Sequence, residues 1–282
     1  MPTKVVLDIN SVFEDAQAYV MLSRVQQLEQ IFILGSLDET KIRASPIALQ
    51  ELTRMKTVSM NTNLSPWQKE LKKDVRIVSL NCAGLAAHFT DILCDEHLLK
   101  ANIIHLIETS INMENEAQFK IEGFKSHFIS VGNGKGLVTF FKLDGLEHSQ
   151  DVKETNMQIS KFSSPHLDII NVYRSRNGHS VDLLNYILRM LTDDKPTLIT
   201  GDFNICYMSN GNNRMSQGLI KNNFSQLVRE PTQIQGGHID HAYWRDKNGV
   251  WKEPVIEHFT PYFSDHDGIC TTLTKPSLCK SS

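Results

Sequence analysis

Apolar residues fall into short runs along most of this chain rather than into long stripes. Beyond residue 74 the runs recur at 75–80, 103–107, 124–131, 137–141, 157–162, 167–172, 197–200, 239–243, 255–259 and 269–273. Runs of this length, bounded by turn-forming residues, predict strands. Two segments carry helical spacing instead. One covers 89–100. The other covers 181–191, where Val181, Leu184, Ile187, Leu188 and Leu191 share a face. Many short strands with few helices predict an α/β fold: a four-layer sandwich of two packed mixed β-sheets flanked by helices.

The first 73 residues read differently. Residues 5–9 and 31–34 look like strands, the second ended by Gly35, with a helix over 15–27 that places Ala18, Leu22 and Val25 on one face. Pro46, Pro66, an Asn/Thr/Ser run at 59–65 and the basic cluster Lys69, Lys72 and Lys73 follow. This stretch predicts a helix over 47–55 and then a linker. The expected organisation is a short N-terminal segment (1–45), a linker (46–73), one large domain (74–276) and a tail (277–282).

Composition adds bounds. Of 282 residues, 40% are hydrophobic and 22% charged, which is globular and excludes extended disorder. The net charge of -3 does not advertise a nucleic-acid binder, yet a carboxylate-rich metal site counts as negative until its cation is bound. The five cysteines are Cys82, Cys94, Cys206, Cys270 and Cys279; their odd number and the lack of CxxC or zinc spacing predict reduced thiols. No apolar run spans a membrane and no secretory leader opens the chain, so a soluble intracellular protein is expected.

Polar groups cluster where the predicted strands end. Asn81 follows the run at 77–80, Glu108 that at 103–107, and Asp202 and Asn204 that at 198–201. Asp240 and His241 follow Ile239, while Asp265 and His266 precede the last strand. Each alone has a plainer reading, as a solvated loop residue, an Asx-turn or a cap. Together they form the set that phosphodiester cleavage requires. Glu108 suits a hard cation such as Mg2+, Asp202 an activated water, Asn81 and Asn204 a phosphate or metal-bound water, and an Asp240–His266 pair the phosphate itself.

These residues carry a resemblance. Ser79-Leu80-Asn81-Cys82-Ala83-Gly84-Leu85, Ile107-Glu108-Thr109, Gly201-Asp202-Phe203-Asn204, Ile239-Asp240-His241 and Ser264-Asp265-His266 resemble, in order, the motifs of the endonuclease/exonuclease/phosphatase superfamily. That superfamily includes deoxyribonuclease I, abasic-site endonucleases, endonucleases of non-LTR retrotransposons and inositol polyphosphate phosphatases. The resemblance covers about 74–275 and implies a deoxyribonuclease I-like fold. It implies Asn81, Glu108 and Asp265 at a Mg2+ (or Mn2+) site, Asp202 as the water-activating group and Asn204 as its phosphate-orienting neighbour. It also implies His266 at the phosphate with Asp240 as its partner. Tyr173, in Asn171-Val172-Tyr173-Arg174, resembles the tyrosine of the abasic-endonuclease and retrotransposon branch, and reads equally well as a core aromatic. No His directly follows that strand, a departure from the phosphatase and deoxyribonuclease I patterns that favours a DNA endonuclease over a phosphatase.

A second resemblance covers residues 4–45. Gln17-Ala18-Tyr19-Val20-Met21-Leu22-Ser23-Arg24-Val25, with Ile31-Phe32-Ile33-Leu34, is similar to the last motif of Pif- and Helitron-type DNA helicases. The chain has no phosphate-binding loop, so no ATP binding is expected from it. The two pieces together imply a mobile-element origin with DNA as partner, and DNA access argues for the nucleus although no clear basic import run is present. Arg174, Arg176 and Arg214 are candidate phosphate contacts, and Trp244 a candidate base-stacking side chain whose plainer reading is core packing. A phosphatase acting on inositol or lipid phosphates, and an inactive domesticated domain that binds DNA or a protein, are the competing readings.

Overall fold

The computed structural model describes residues 5–8, 31–35, 45–46, 74–131, 135–192, 195–207 and 214–275. The chain divides into two compact units, Met1–Lys72 and Lys73–Ser282. In the first, β1 (Val5–Leu7) pairs in parallel with β2 (Ile31–Ile33), Val5 opposite Ile31. The helices expected over 15–27 and 47–55 lie outside the described residues.

The second unit opens with β3 (Asp74–Asn81), α1 (Leu85–Cys94), α2 (Glu96–Leu99) and β4 (Ile103–Ile107). It continues through β5 (Lys125–Ile129), β6 (Leu137–Phe141), β7 (Glu147–Glu154), β8 (Met157–Ser163) and β9 (Asp168–Arg174). The remainder is α3 (Ser180–Met190), β10 (Thr197–Asp202), α4 (Arg214–Lys221), β11 (Ser225–Gln226), β12 (Asp240–Arg245), β13 (Val255–Phe259) and β14 (Gly268–Thr274). The single helix expected over 89–100 is two. Asp95 ends the first and caps the second, its carboxylate accepting from the backbone N–H groups of His97 and Leu98. The pattern of apolar runs missed β7, because EHSQDVKE is a polar edge strand with no apolar run to betray it.

The strands form two mixed six-stranded sheets, in the orders β13-β14-β3-β4-β6-β5 and β11-β12-β10-β9-β8-β7. The outer face of the first buries Val78, Leu80, Ile104, Leu106, Val138 and Phe140 with Leu85, Ile92 and Leu98 of α1 and α2. The outer face of the second buries Ile170, Val172, Ile199 and Tyr243 with Leu183 and Ile187 of α3 and Met215 and Leu219 of α4. Strands covered on both faces are mostly apolar on both, which explains why the central runs do not alternate apolar with polar.

Between the sheets, side chains stack in rungs fixed by the strand register. One rung is apolar, with Ile77, Ile103 and Phe141 of the first sheet packed against Phe162, Ile169, Leu198 and Trp244 of the second. Two residues further along, the rung is polar. Ser79, His105, Thr139 and His127 align in one sheet, and Thr200, Asn171, Ser160 and Asp151 in the other. Within it His105 bonds the Thr139 hydroxyl through Nδ1 at 2.8 Å, and burial pulls its pKa down to about 3, so it is a neutral structural imidazole. The next rung holds Asn81, Ile107 and Leu137 in one sheet and Asp240, Asp202, Tyr173 and Gln158 in the other.

The four described cysteines, Cys82, Cys94, Cys206 and Cys270, are free thiols. Among the described residues no helix is long and apolar enough to cross a membrane.

Candidate active site

The third rung ends the strands, and the loops beyond it complete a cleft. Glu108, Tyr173, Arg176, Asp202, Asn204, Gln233, Asp265 and His266 line about 350 Å³ of solvent-reachable space. Six of the residues that sequence reasoning placed at the reaction therefore share one cavity wall.

Asp202 closes β10, and the register sets it between Tyr173 of β9 and Asp240 of β12. Reaching this position depends on Gly201. Its φ of +144° and its closeness to the Val172 carbonyl leave no room for a side chain, since an added Cβ would lie 1.9 Å from that oxygen. The carboxylate of Asp202 accepts three hydrogen bonds. Oδ1 takes the Asn204 backbone N–H at 2.8 Å, and Oδ2 takes Asn81 Nδ2 and Asn204 Nδ2, each at 3.1 Å. Asn204 is fixed in turn by Nδ2 donating to the Arg174 carbonyl at 2.9 Å, with φ +50°, a conformation asparagine tolerates better than most residues.

The Asp240–His266 pair also forms. His266 Nδ1 lies 2.9 Å from Asp240 Oδ2, which accepts the Thr232 hydroxyl at 2.7 Å as well. Ser264 staples this turn to β3: its hydroxyl donates to the Asn81 carbonyl at 2.7 Å and accepts the His266 backbone N–H at 3.1 Å. Thr232 and Gln233, which braces Asp265 by a 3.1 Å bond from Nε2, were missed by sequence reasoning. They sit in an irregular loop where nothing in the residue pattern singles them out.

Electrostatics follow from this packing. Burial pushes the Asp202 carboxyl well above the ordinary carboxylate range, and the charges of Asp240 and Glu108 add to that, against His266 and the Asn204 N–H. Burial pulls the His266 imidazole down, but the Asp240 hydrogen bond and charge, with Asp202 and Asp265, outweigh it and lift the pKa to about 9. Burial also raises the Tyr173 hydroxyl, with Glu108 beside it contributing next, so the phenol stays protonated.

Glu108 follows β4 with φ +54°, an uncommon backbone for a long side chain and the kind that concentrates at functional sites. Its carboxylate and that of Asp265 face the cleft near the buried Asp202–Asp240 pair, and one imidazolium does not balance them. An oxygen donor set with surplus negative charge fits a hard divalent cation. A grouping of Asp202, Asp240 and His266 has its potential ligand atoms within 4.8 Å of one another. Asn81 sits deeper, 2% exposed, with Nδ2 on Asp202 and Oδ1 accepting the Ala83 N–H at 3.1 Å. In this arrangement it braces Asp202.

Two of the side chains expected at DNA lie away from the cleft wall. Arg174 is buried, and its guanidinium donates to the carbonyls of Phe203, Ser175, Arg176, Gly178 and Asn204 at 2.8–3.3 Å. It ties the end of β9 to the loop after Asp202, committing the guanidinium to backbone carbonyls. Trp244 lies in the apolar rung, 8% exposed, paired with Leu198 four residues before Asp202. Pleat alternation sends it into the core rather than toward a base. Arg214 is exposed at the start of α4 and is not part of the cleft wall, whereas Arg176 is.

Comparison with known proteins agrees with the architecture. The model of the Endonuclease/Exonuclease/phosphatase family matches residues 78–266. No curated protein matches the chain. Among solved structures, the endonuclease domain of TRAS1, a telomere-specific non-LTR retrotransposon, superposes with a TM-score of 0.53 at 15% identity, covering 72% of this chain and 99% of that one. An AP endonuclease from Archaeoglobus fulgidus gives 0.54 at 14% identity, covering 70% and 98%. The 3' phosphatase NExo from Neisseria, bound to a product DNA hairpin, gives 0.53 at 14%, again over 70% and 98%. At these identities the likeness speaks for the fold, a two-sheet sandwich of the deoxyribonuclease I type.

Proposed function

The chain belongs to the Endonuclease/Exonuclease/phosphatase family, and on that premise we propose that it is a divalent-metal-dependent endonuclease that nicks DNA. The observation that carries this is the convergence of Glu108, Tyr173, Asp202, Asn204, Asp265 and His266 on one cleft, with Asp240 locked to His266. The relatives that share the fold include enzymes of retrotransposons and of abasic-site cleavage, and one bound to a DNA hairpin.

In this reading Asp202 orients the attacking water and takes its proton; burial and the neighbouring carboxylates, which raise its carboxyl, make it a stronger base than a solvated carboxylate. Phosphorus gains a bond to the water oxygen as the bond to the leaving oxygen breaks in line. His266, protonated at neutral pH and held by Asp240, donates to a non-bridging phosphate oxygen, and Asn204 fixes the Asp202 carboxylate. Glu108 and Asp265, braced by Gln233, hold the cation, Mg2+ or Mn2+. When bound, the cation neutralises charge on the phosphate and the leaving oxygen. Tyr173 orients Glu108 from below, and Arg176 meets the backbone at the rim.

The tyrosine at this position, with no histidine after the strand, favours a nuclease over a phosphatase of inositol or lipid phosphates. The helicase likeness of residues 1–45 and the mobile-element origin it implies rest on sequence alone, since the family match begins at residue 78.

The test is conversion of supercoiled plasmid to open circles in Mg2+. Chelation should stop it, and Glu108→Gln, Asp202→Asn and His266→Ala should each slow it by about 100-fold or more with circular dichroism unchanged. Nicking that survives chelator, or a native rate in any of the three, would overturn the assignment. Turnover of an inositol phosphate without nicking would move the protein to the phosphatase reading.

A further inference from the structure

A second cluster of ligating side chains lies at the open edge of the sandwich. β5 and β7 are each the last strand of their own sheet, and they meet there. His127 of β5 places Nε2 3.1 and 3.0 Å from the two carboxylate oxygens of Asp151 on β7. His148, also on β7, places its Nε2 2.9 Å from Asp151 Oδ1. The imidazoles stack with centroids 3.6 Å apart, and Phe162 of the core packs edge-on against both at 5.8 and 5.7 Å.

This convergence is not a by-product of strand alternation. Residues three apart on a regular strand point to opposite faces, so His148 and Asp151 should not share one. A bulge between His148 and Gln150 interrupts the pairing with β8 and brings them to the same side. Bulges of this kind re-aim side chains at edges. His127 meets Asp151 for a different reason: both sit on the polar rung between the sheets, at the end where each sheet stops.

We propose that His127, His148 and Asp151 form a binding site for a zinc-class transition-metal ion that ties the edge of one sheet to the edge of the other. Two imidazoles and one carboxylate are the ligand types such ions take, and they are poor ligands for Mg2+, which prefers oxygen alone. The three potential ligand atoms lie within 4.8 Å of one another. Three protein ligands leave a fourth position for water. The side chains are 23%, 31% and 15% exposed, so an ion reaches them from solvent while Phe162 backs the site. Seating it requires the near-parallel rings to splay, because stacked imidazoles direct their lone pairs side by side. Lys153 Nζ, 3.7 Å from Asp151, competes for the carboxylate; its side chain is 56% exposed and free to swing away. The catalytic residues stand at or just beyond the ends of β3, β4, β9, β10 and β12 and in the loop before β14, so the site is separate from the cleft.

The full chain, held in saturating Mg2+, is titrated with Zn2+ and in parallel with Co2+. The native protein should bind one equivalent of Zn2+ that His148→Gln and Asp151→Asn both lose and Glu108→Gln keeps. At ~100-fold excess of Zn2+ over its Kd, Tm should rise by about 5 °C in the native chain and not in His148→Gln. Visible Co2+ absorption should follow the same division. Equal Zn2+ stoichiometry and equal Tm shifts in the native chain and His148→Gln would overturn the proposal. So would an equivalent lost in Glu108→Gln and kept in His148→Gln, which would place the ion in the catalytic cleft.

Discussion

Gly201→Ala is the sharpest test of how the fold positions the catalytic rung. The added methyl carbon would sit 1.9 Å from the Val172 carbonyl oxygen and 2.8 Å from its carbon. That falls short of ordinary contact by about 1.5 Å, and the obstruction is the backbone of β9, which cannot rotate aside as a side chain would. Forcing the strands apart costs about 1–3 kcal/mol, and a φ of +144° adds about 1–2 kcal/mol for a residue with Cβ. The sum, about 2–5 kcal/mol, is a large part of a typical stability of about 5–15 kcal/mol. For a domain of this size it lowers Tm by roughly 10 °C. Tryptophan fluorescence reports the transition, since Trp244 and Trp251 are both buried between the sheets. Asp202 is the next residue, so nicking should fall as well. Gly218→Ala is the control: its Cβ meets the tip of Leu184 at 2.2 Å, a side chain that can move, and helix propensity gains up to about 1 kcal/mol. A Gly201→Ala protein melting within ~3 °C of native and nicking at the native rate would refute the close approach of β9 and β10.

Arg174→Ala should destabilise the domain by about 2–4 kcal/mol in urea titrations, through the carbonyls it leaves unpaired, with its effect on DNA affinity following from that loss. Arg176→Ala should instead keep stability and weaken DNA binding, reducing the salt dependence of affinity by about one charge. Burial pushes the Asp168 carboxyl up, but bonds from Lys161, Ser163 and Thr192 and the charge of Lys161 hold it below the ordinary range. Its folded pKa being depressed, its stabilisation is present above about pH 4 and lost as pH falls through the folded value. Lys161→Met should therefore cost about 3 kcal/mol at pH 7, and the difference from native should narrow below about pH 4. A chain starting at residue 73 should nick at close to the native rate, and its loss of activity or unfolding would show that the N-terminal unit is structural.

Much of the domain was legible because strands buried on both faces are mostly apolar on both. β3, β4, β9 and β10 announce themselves as mostly apolar runs, and the polar residues that end them stand out by contrast. Asn81, Glu108, Asp202 and Asp240 were readable for that reason, and so was His266, one residue after another acid. β7 was not, because a polar edge strand has the composition of a loop, and its His148–Asp151 pairing with His127 was hidden with it. A sequence with no zinc-like spacing can still assemble such a trio when a bulge turns one face and two sheet edges meet.

Linear order determined which residue types were on hand and which strands would be covered on both sides. Where the long polar side chains point was decided by register and pleat. The residue after Tyr173 is an arginine that reads as a phosphate contact, yet its guanidinium is drawn inward by the backbone carbonyls just beyond β9 and β10. Trp244 reads as a stacking platform, yet an even number of residues from Asp240 along β12 places it in the inter-sheet core. Backbone carbonyls attract a buried guanidinium and alternation assigns faces only once strands have paired, so these choices belong to the tertiary structure.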